Sequence, residues 1–513
     1  MMTAARRHGE IHLSELLFAD AALEGGFDRE VSGVAVDSRE VERGTAFFAR
    51  RGLTHDATTF IDEALRAGAS AIVREGESGV RLLEGGVPEI HVADVAASVG
   101  EAAHRFYGRP SESMRVIGIT GTNGKTSVSH FIAHALGLEP QAHGAAIGVI
   151  GTLGCGRPDA LEPGQLTTPD VVTLHRELAG FRTQDIGVVV MEVSSHALSQ
   201  GRTEGVRFDT GVFTNLSRDH LDFHGDMQAY ARSKGRLFRS AGISNAVINA
   251  DDEFGRQLLS AYCDDLNVIA YTLAEVDARA PYPVLKGRVE RADEAGIRVF
   301  IESQFGNGAL SVALLGRFNA HNLLAAAGAL LCGGMEFKQV LDLLSDVPVV
   351  PGRMQRFGGV EGAPLVVVDY AHTPDALSAA LLALRDHCNG RLWCVFGCGG
   401  DRDEGKRSQM GAIADELADV LVLTDDNPRS EDGAEIIAGI MHGVARKATA
   451  GNGLFIDHDR AAAIRLAVAD SGINDVVLVA GKGHEAYQES MGVRRPFSDA
   501  AAVRSALEAR RSC

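Results

Sequence analysis

The chain has 513 residues, 45% hydrophobic and 23% charged, which is the composition of a folded globular protein with room for three or four domains. Its formal charge of −18 excludes a surface built to wrap nucleic acid, because such binding needs basic side chains that displace counterions. Any anionic substrate must therefore be met by local clusters of positive charge.

Up to about residue 110 the pattern predicts a small α/β module, with strands at Val34–Val36 and Thr45–Phe48 and a helix at Ile61–Ala67. From about 111 to 347, strand-like runs at Val116–Thr120, Ile186–Val193, Val212–Asn215 and Ala246–Asn249 alternate with helical patterns. That alternation predicts a doubly wound sheet. Pro348 and Pro351 mark the exit. Residues 348–513 then repeat strand and helix, with strands at Leu365–Val368, Leu392–Phe396, Val420–Leu423, Leu454–Ile456 and Val476–Val479, which predicts a Rossmann-like parallel sheet. Ligands of such sheets sit beyond the carboxyl ends of the strands. The polar clusters Asp369–Asp375, Gly397–Lys406, Asp425–Asp432 and Gly481–Glu485 all fall there.

The richest segment is Gly118-Ile119-Thr120-Gly121-Thr122-Asn123-Gly124-Lys125-Thr126-Ser127. It follows the apolar run Met114–Ile117 and opens a helix whose apolar positions are Val128, Phe131, Ile132, Ala135 and Leu136. Unpaired N–H groups at that helix start suit a polyphosphate, with Lys125 to neutralise charge and Thr126 to reach a bound Mg²⁺. The strict phosphate-loop pattern needs glycine at 119; Ile119 stands there, and the glycines are displaced to 118 and 121. Downstream, Glu192 ends an apolar strand, where a buried carboxylate needs a partner or a metal. Asn215–Gly225 is dense in acids and histidines, and Tyr230–Phe238 reads in isolation as a solvated basic helical face.

Six motifs then occur in one order: Gly121–Thr126, Thr167-Thr168-Pro169-Asp170, Glu192–His196, Arg218–Gly225, Gly316–Asn322 and Asp369–His372. Together they resemble the Mur ligase family, and within it the branch that adds the third residue of the peptidoglycan stem peptide. The resemblance runs from about Val36 to Asp499. It implies three α/β domains: an N-terminal domain at 1–110 for the UDP end of the substrate, a central P-loop-type ATPase domain at 111–347, and a C-terminal Rossmann-like domain at 348–513 for the amino acid. The implied substrates are ATP, UDP-N-acetylmuramoyl-L-alanyl-D-glutamate and meso-diaminopimelate, with Mg²⁺ as cofactor. Lys125, Glu192, His220 and Lys234 are the implied catalytic residues, with Lys234 carbamylated by CO₂. Thr126, Glu192, His220 and modified Lys234 are the implied metal ligands.

Position by position, the resemblance assigns Gly121, Thr122, Asn123, Gly124, Lys125, Thr126, Ser127, Asn322, Arg353 and Asp369 to ATP. It assigns Val36, Ser38, Leu53, Thr54 and His55 to the UDP end, where Leu53–His55 departs from the commoner His-Gln-Ala pattern. Thr167, Thr168, Ser194, Gln200 and Arg202 fall to the muramoyl dipeptide. The tetrapeptide Asp426-Asn427-Pro428-Arg429 resembles the diaminopimelate signature. Selecting diaminopimelate over lysine calls for a cation at the distal carboxylate, a role suited to Arg429 and Arg402, with Glu485 for the distal ammonium and Gly481 beside it. A lysine-adding variant, a folylpolyglutamate-synthase-like ligase and a non-catalytic nucleotide-binding scaffold are the alternatives. The scaffold predicts gaps among Lys125, Glu192, His220 and Lys234, and none is missing.

The seven cysteines are odd in number and scattered, which fits reduced cytosolic thiols. Arg6 and Arg7 precede no adequate apolar h-region, and no run reaches transmembrane length. The expected protein is a cytoplasmic monomer.

Overall fold

Runs such as Ala46-Phe47-Phe48-Ala49 are apolar at successive positions because both faces of their sheet are covered. In the computed structural model, which describes residues 10–17, 27–50, 56–83, 85–138, 146–164, 166–275, 280–293, 295–360, 362–446 and 453–511, the chain divides into two units. One comprises Met1–Thr120, Leu136–Val212 and Ser233–Ala246; the other comprises Gly121–Ala135, Phe213–Arg232 and Val247–Cys513.

The first unit contains a five-stranded sheet in the order Gly33–Ala35, Thr45–Ala49, Ala71–Glu75, Pro88–Val92 and Gly79–Leu82, parallel except for the last pair. Side chains alternate across a strand, so Ala46 and Phe48 meet Val95, Val99 and Ala102 of the helix Val95–Phe106, while Phe47 and Ala49 face Ala64 of the helix Ile61–Ala67. The same unit holds parallel strands Ala146–Gly151, Ile186–Glu192 and Arg115–Thr120, with Ile186–Glu192 in the middle. Glu192 therefore ends beside Ile119, one residue short of Thr120 at the strand's exit.

In the second unit, Asn267–Thr272 pairs in parallel with Val284–Asp293, which continues as an antiparallel meander through Gly296–Ser303 and Gly306–Val312. The sequence reading missed this meander. Gly306-Asn307-Gly308 carries little intrinsic strand preference, and the ladder with Ile301–Ser303 imposes its conformation. The C-terminal sheet runs Gln355–Gly358, Leu365–Asp369, Val476–Ala480, Leu392–Phe396, Val420–Leu423 and Leu454–Ile456, parallel after the first pair. Each of the five predicted strands is present and followed by a helix. A hairpin, Tyr487–Ser490 with Val493–Pro496, intervenes before the last helix, Asp499–Arg511. No helix among the described residues is long and apolar enough to cross a membrane.

Beneath the carboxyl end of Val476–Ala480 lies a wholly buried ion pair. Arg460 donates to both Asp499 oxygens at 2.7 and 2.8 Å and to the Ala480 carbonyl at 2.8 Å. It ties the starts of two helices to the strand that delivers Gly481. Removing one partner leaves an uncompensated buried charge, so Asp499→Ala should destabilise this domain by about 3–5 kcal/mol. Denaturation followed by the fluorescence of Trp393, the single tryptophan, checks this, because its indole donates to buried Asp475, just before the strand Val476–Ala480 of the same domain.

Candidate active site

The glycine turn after Arg115–Thr120 is held open by the segment that follows the strand Thr210–Phe213. Thr122 N–H donates to Asn215 O at 2.8 Å, Asn123 N–H to Asn215 Oδ1 at 2.9 Å, and Thr214 Oγ1 to Asn123 O at 2.6 Å. Ser217 N–H donates to Thr122 Oγ1 at 3.0 Å. Lys125 folds across the turn, its ammonium 2.9 Å from the Gly121 and Thr122 carbonyls. Gly121 has φ +148°, and a Cβ there would fall 1.8 Å from Thr214 Oγ1; at Gly124, φ +90°, it would fall 2.5 Å from Asn322 Oδ1. Only glycine allows this approach. Thr126 and Ser127 are buried at the helix start.

Asn322, Arg353 and Asp369 gather in the same unit as this turn. Arg353 donates to Thr126 Oγ1 at 2.9 Å and lies over the Tyr370 ring at 4.4 Å. Asp369 accepts from Met354 N–H at 2.7 Å. Burial raises its carboxyl above the ordinary value, against the opposing charge of Arg353. His220 adopts a left-handed backbone, φ +54°, and sits 3.3 Å from Asp219. Asp219 also faces His372 at 3.5 Å and Lys406 at 3.9 Å. Burial works to raise the Asp219 carboxyl, but hydrogen bonding from His372 and the charges of His220, His372 and Lys406 hold it well below the usual range. The adjacent Arg218 pairs with Asp403 at 3.1 and 3.2 Å. The acids and histidines of 215–225 thus serve in part to join loops; among the described residues no group of three or more histidine, cysteine or acidic side chains is arranged to hold a metal ion.

The first unit carries Glu192, wholly buried. Its oxygens accept from Thr152 N–H at 2.8 Å and Thr152 Oγ1 at 3.0 Å. Thr152 Oγ1 in turn lies 3.1 Å from Thr167 Oγ1. Thr168 donates to the Glu192 carbonyl at 2.8 Å and accepts from Ser194 N–H at 3.1 Å, while Arg202 donates to Thr168 O at 3.0 Å and from Nε to Gln200 Oε1 at 2.8 Å. Thr167, Thr168, Ser194, Gln200 and Arg202 are thus brought together around Glu192. Lys234 is 1% exposed, which corrects the expectation of a solvated basic face: Tyr230, Ser233, Lys234, Leu237 and Phe238 all turn inward. Val36 packs on the N-terminal core. Ser38 starts a short 3₁₀ turn capped by Asp37, and Leu53, Thr54 and His55 lie outside the described residues.

At the carboxyl ends of the C-terminal strands, Asp426, Asn427 and Pro428 are buried and Arg429 half-buried. Arg429 has φ +55° and donates from its guanidinium to Gly400 O at 2.6 Å. Its backbone N–H donates to Glu489 O of the hairpin at 3.0 Å. Arg402 is exposed, on a loop held by Ser430 Oγ donating to Asp401 at 2.6 Å. Gly481, φ +110°, packs on Asp426, whose Oδ2 would lie 2.3 Å from any Cβ there.

Family models match three consecutive stretches: "Mur ligase family, catalytic domain" at 30–107, "Mur ligase middle domain" at 119–330, and "Mur ligase, glutamate ligase domain" at 352–483. The chain belongs to the Mur ligase family. It has that family's three-domain α/β architecture, with ATP-dependent ligases as members. Proteins named UDP-N-acetylmuramoyl-L-alanyl-D-glutamate--2,6-diaminopimelate ligase are 48% identical in Xanthomonas campestris pv. campestris, over 96% of this chain and 97% of theirs, and 47% identical in Pseudomonas aeruginosa, over 94% and 96%. A solved structure bearing the same name matches with TM-score 0.69 at 35% identity, covering 98% of this chain and 100% of that one. The MurF ligase of Thermotoga maritima, solved with ADP, shares the fold at TM-score 0.60 and 18% identity, over 95% and 99%.

Within this Mur ligase, sequence reasoning missed Thr152, Asp219 and Lys482 as organisers, the last with its ammonium donating to Glu485 at 2.8 Å and to Asn427 at 3.0 Å. Thr152 stands in an unremarkable Gly-Thr-Leu, and Asp219 and Lys482 stand inside motifs whose neighbours drew the attention. Gly121→Ala should weaken ADP binding by at least about tenfold, equivalent to roughly 1.4 kcal/mol, while leaving far-ultraviolet dichroism unchanged. Equilibrium dialysis with labelled ADP checks it.

Proposed function

We propose that this chain joins meso-diaminopimelate to the D-glutamate carboxylate of UDP-N-acetylmuramoyl-L-alanyl-D-glutamate in peptidoglycan precursor synthesis, with ATP converted to ADP and phosphate. The observation that carries the reading is the Asp426-Asn427-Pro428-Arg429 loop, held at the strand ends by Gly400 and Glu489, in a chain nearly half identical to ligases of that name. Residues 1–110 are assigned to the UDP end, with Val36, Ser38, Leu53, Thr54 and His55 as contacts. Residues 111–347 are assigned to ATP and 348–513 to the amino acid. The reading places the enzyme in the cytoplasm, in keeping with the six described cysteines being free, and takes it to be a monomer.

A free carboxylate is a poor electrophile, so activation precedes amide formation. A carboxylate oxygen attacks the γ-phosphorus, the bond to the β-bridging oxygen breaks, and ADP leaves. The amine of the amino acid then attacks the acyl carbon, loses its proton, and phosphate departs with the original carboxylate oxygen. The protein's part is positioning and charge neutralisation. Lys125 meets the phosphates, with the turn residues Gly121, Thr122, Asn123 and Gly124 and the helix-start residues Thr126 and Ser127 around them. Asn322, Arg353 and Asp369 hold the rest of the nucleotide. Thr167, Thr168, Ser194, Gln200 and Arg202 hold the dipeptide.

Thr126 and Glu192 offer the oxygen donors that Mg²⁺ prefers, and with His220 and carbamylated Lys234 they are the proposed residues around it. When bound, Mg²⁺ neutralises charge on the transferring phosphoryl group. An inward-turned, wholly enclosed Lys234 suits conversion to an anionic carbamate better than it suits a solvated cation. Lys234→Ala should lower turnover by at least about a hundredfold, small carboxylates should restore part of it, and Lys234→Arg should stay inactive. Phosphate release with and without formate checks this; normal turnover in the arginine variant would make Lys234 a simple cation.

Phosphate release with the UDP-dipeptide and a panel of amino acids tests the reading itself and separates it from a lysine-adding variant. Arg429, with Arg402, is assigned to the distal carboxylate, alongside Asp426, Asn427, Pro428, Gly481 and Glu485. Arg429→Ala removes charge-assisted hydrogen bonds of about 1.5–3 kcal/mol, so diaminopimelate use should fall roughly tenfold to more than a hundredfold. The weak use of lysine should not fall, because lysine has no such carboxylate. Equal loss for both amino acids would place specificity elsewhere.

A further inference from the structure

Lys482 follows the strand Val476–Ala480 by two residues and is 0% exposed. Lysine is almost never enclosed without a partner. Its ammonium donates to Glu485 Oε2 at 2.8 Å and to Asn427 Oδ1 at 3.0 Å, with the Tyr487 ring 5.6 Å away. Asn427 Nδ2 donates to the same Glu485 Oε2 at 2.8 Å, and Asn427 Oδ1 also accepts Glu489 N–H at 2.9 Å. Two donors on one carboxylate oxygen fix the rotamer of Glu485, a side chain that is 17% exposed.

We propose that Lys482 is a positioning residue for amino-acid selection, fixing the Glu485 carboxylate by charge and by hydrogen bond as the anionic acceptor for the distal ammonium of the diamino acid, which Lys482 itself does not touch. The inference rests on the assignment of Glu485 to the amino-acid site.

The surrounding charges show why a buried cation is needed. Burial pushes the Glu485 carboxyl up, and the charge and hydrogen bond of Lys482, the hydrogen bond of Asn427 and the charge of His484 outweigh it, holding the group below its ordinary value. Arg460 and Arg494 also face it at longer range. Buried Asp426 presses the other way, while the Tyr370 phenol, which burial keeps neutral, adds no charge. Burial raises the Asp426 carboxyl, which draws on the same ammonium. Without Lys482, desolvation and Asp426 together drive Glu485 toward its neutral form, which has no charge with which to hold an ammonium.

The test measures KM for diaminopimelate against pH in the full-length enzyme. In the parent, Glu485 stays ionised and this KM keeps no contribution from its titration between about pH 6.5 and 8.5. In Lys482→Met the KM for diaminopimelate should rise about tenfold or more near neutrality and rise further as pH falls, because Glu485 then takes up a proton. The KM values for ATP and the UDP-dipeptide should not move. Glu485→Gln should raise the diaminopimelate KM comparably, and Lys482→Met should add little in that background. Should Lys482→Met fail to fold, Lys482→Gln with and without Glu485→Gln carries the same comparison. A pH profile identical to the parent's, or a Lys482 effect of equal size in both backgrounds, would overturn the proposal. An unchanged diaminopimelate KM in Glu485→Gln alone would instead overturn the placement of the amino acid at Glu485, and the proposal with it.

Discussion

In a chain of net charge −18 from a family of ATP-dependent ligases, one backbone turn is held in a shape that only glycine allows. Gly121 to Lys125 make that turn, and Thr214, Asn215 and Ser217 hold it through four hydrogen bonds of 2.6–3.0 Å. Because these partners follow a different strand, the glycine turn is a product of the assembled domain rather than of a local motif. The displaced glycines fit this: Gly121 is the residue that Thr214 presses against, and Gly124 the one that Asn322 presses against.

The same dependence on distant partners recurs at two clusters of buried charge. Asp219 joins His220, His372 and Lys406, which lie in three separate segments. Arg460 joins Asp499 to the Ala480 carbonyl beneath Gly481. Each buried ion is expensive alone and tolerable only in company, so these clusters fix the strand-end loops in one arrangement. An amide ligase gains from that rigidity, since holding amine and acyl carbon in register supplies much of the rate.

The sequence was most legible where chemistry and periodicity coincide. The C-terminal strands were readable because each is an unbroken apolar run ending in polar loops, and the loop at Gly121–Ser127 because a strand, glycines and an amphipathic helix stand in order. Lys234 was not readable as a buried residue from its neighbours, since Arg232 and Arg236 give the segment a solvated look while Tyr230 and Phe238 turn it inward. The antiparallel meander of Val284–Val312 carried too many glycines and charges to show strand alternation. Asp219 and Thr152 act through partners tens to hundreds of residues away, a relation that no local pattern encodes.

The central claim is that the D-glutamate carboxylate is activated by phosphorylation before the amine attacks. Labelling that carboxylate of the UDP-dipeptide with ¹⁸O and analysing the inorganic phosphate released during ligation to diaminopimelate tests it most directly. The account predicts one labelled oxygen transferred to each phosphate from fully labelled substrate, with ADP unlabelled. Phosphate free of label, or label recovered in AMP, would contradict it.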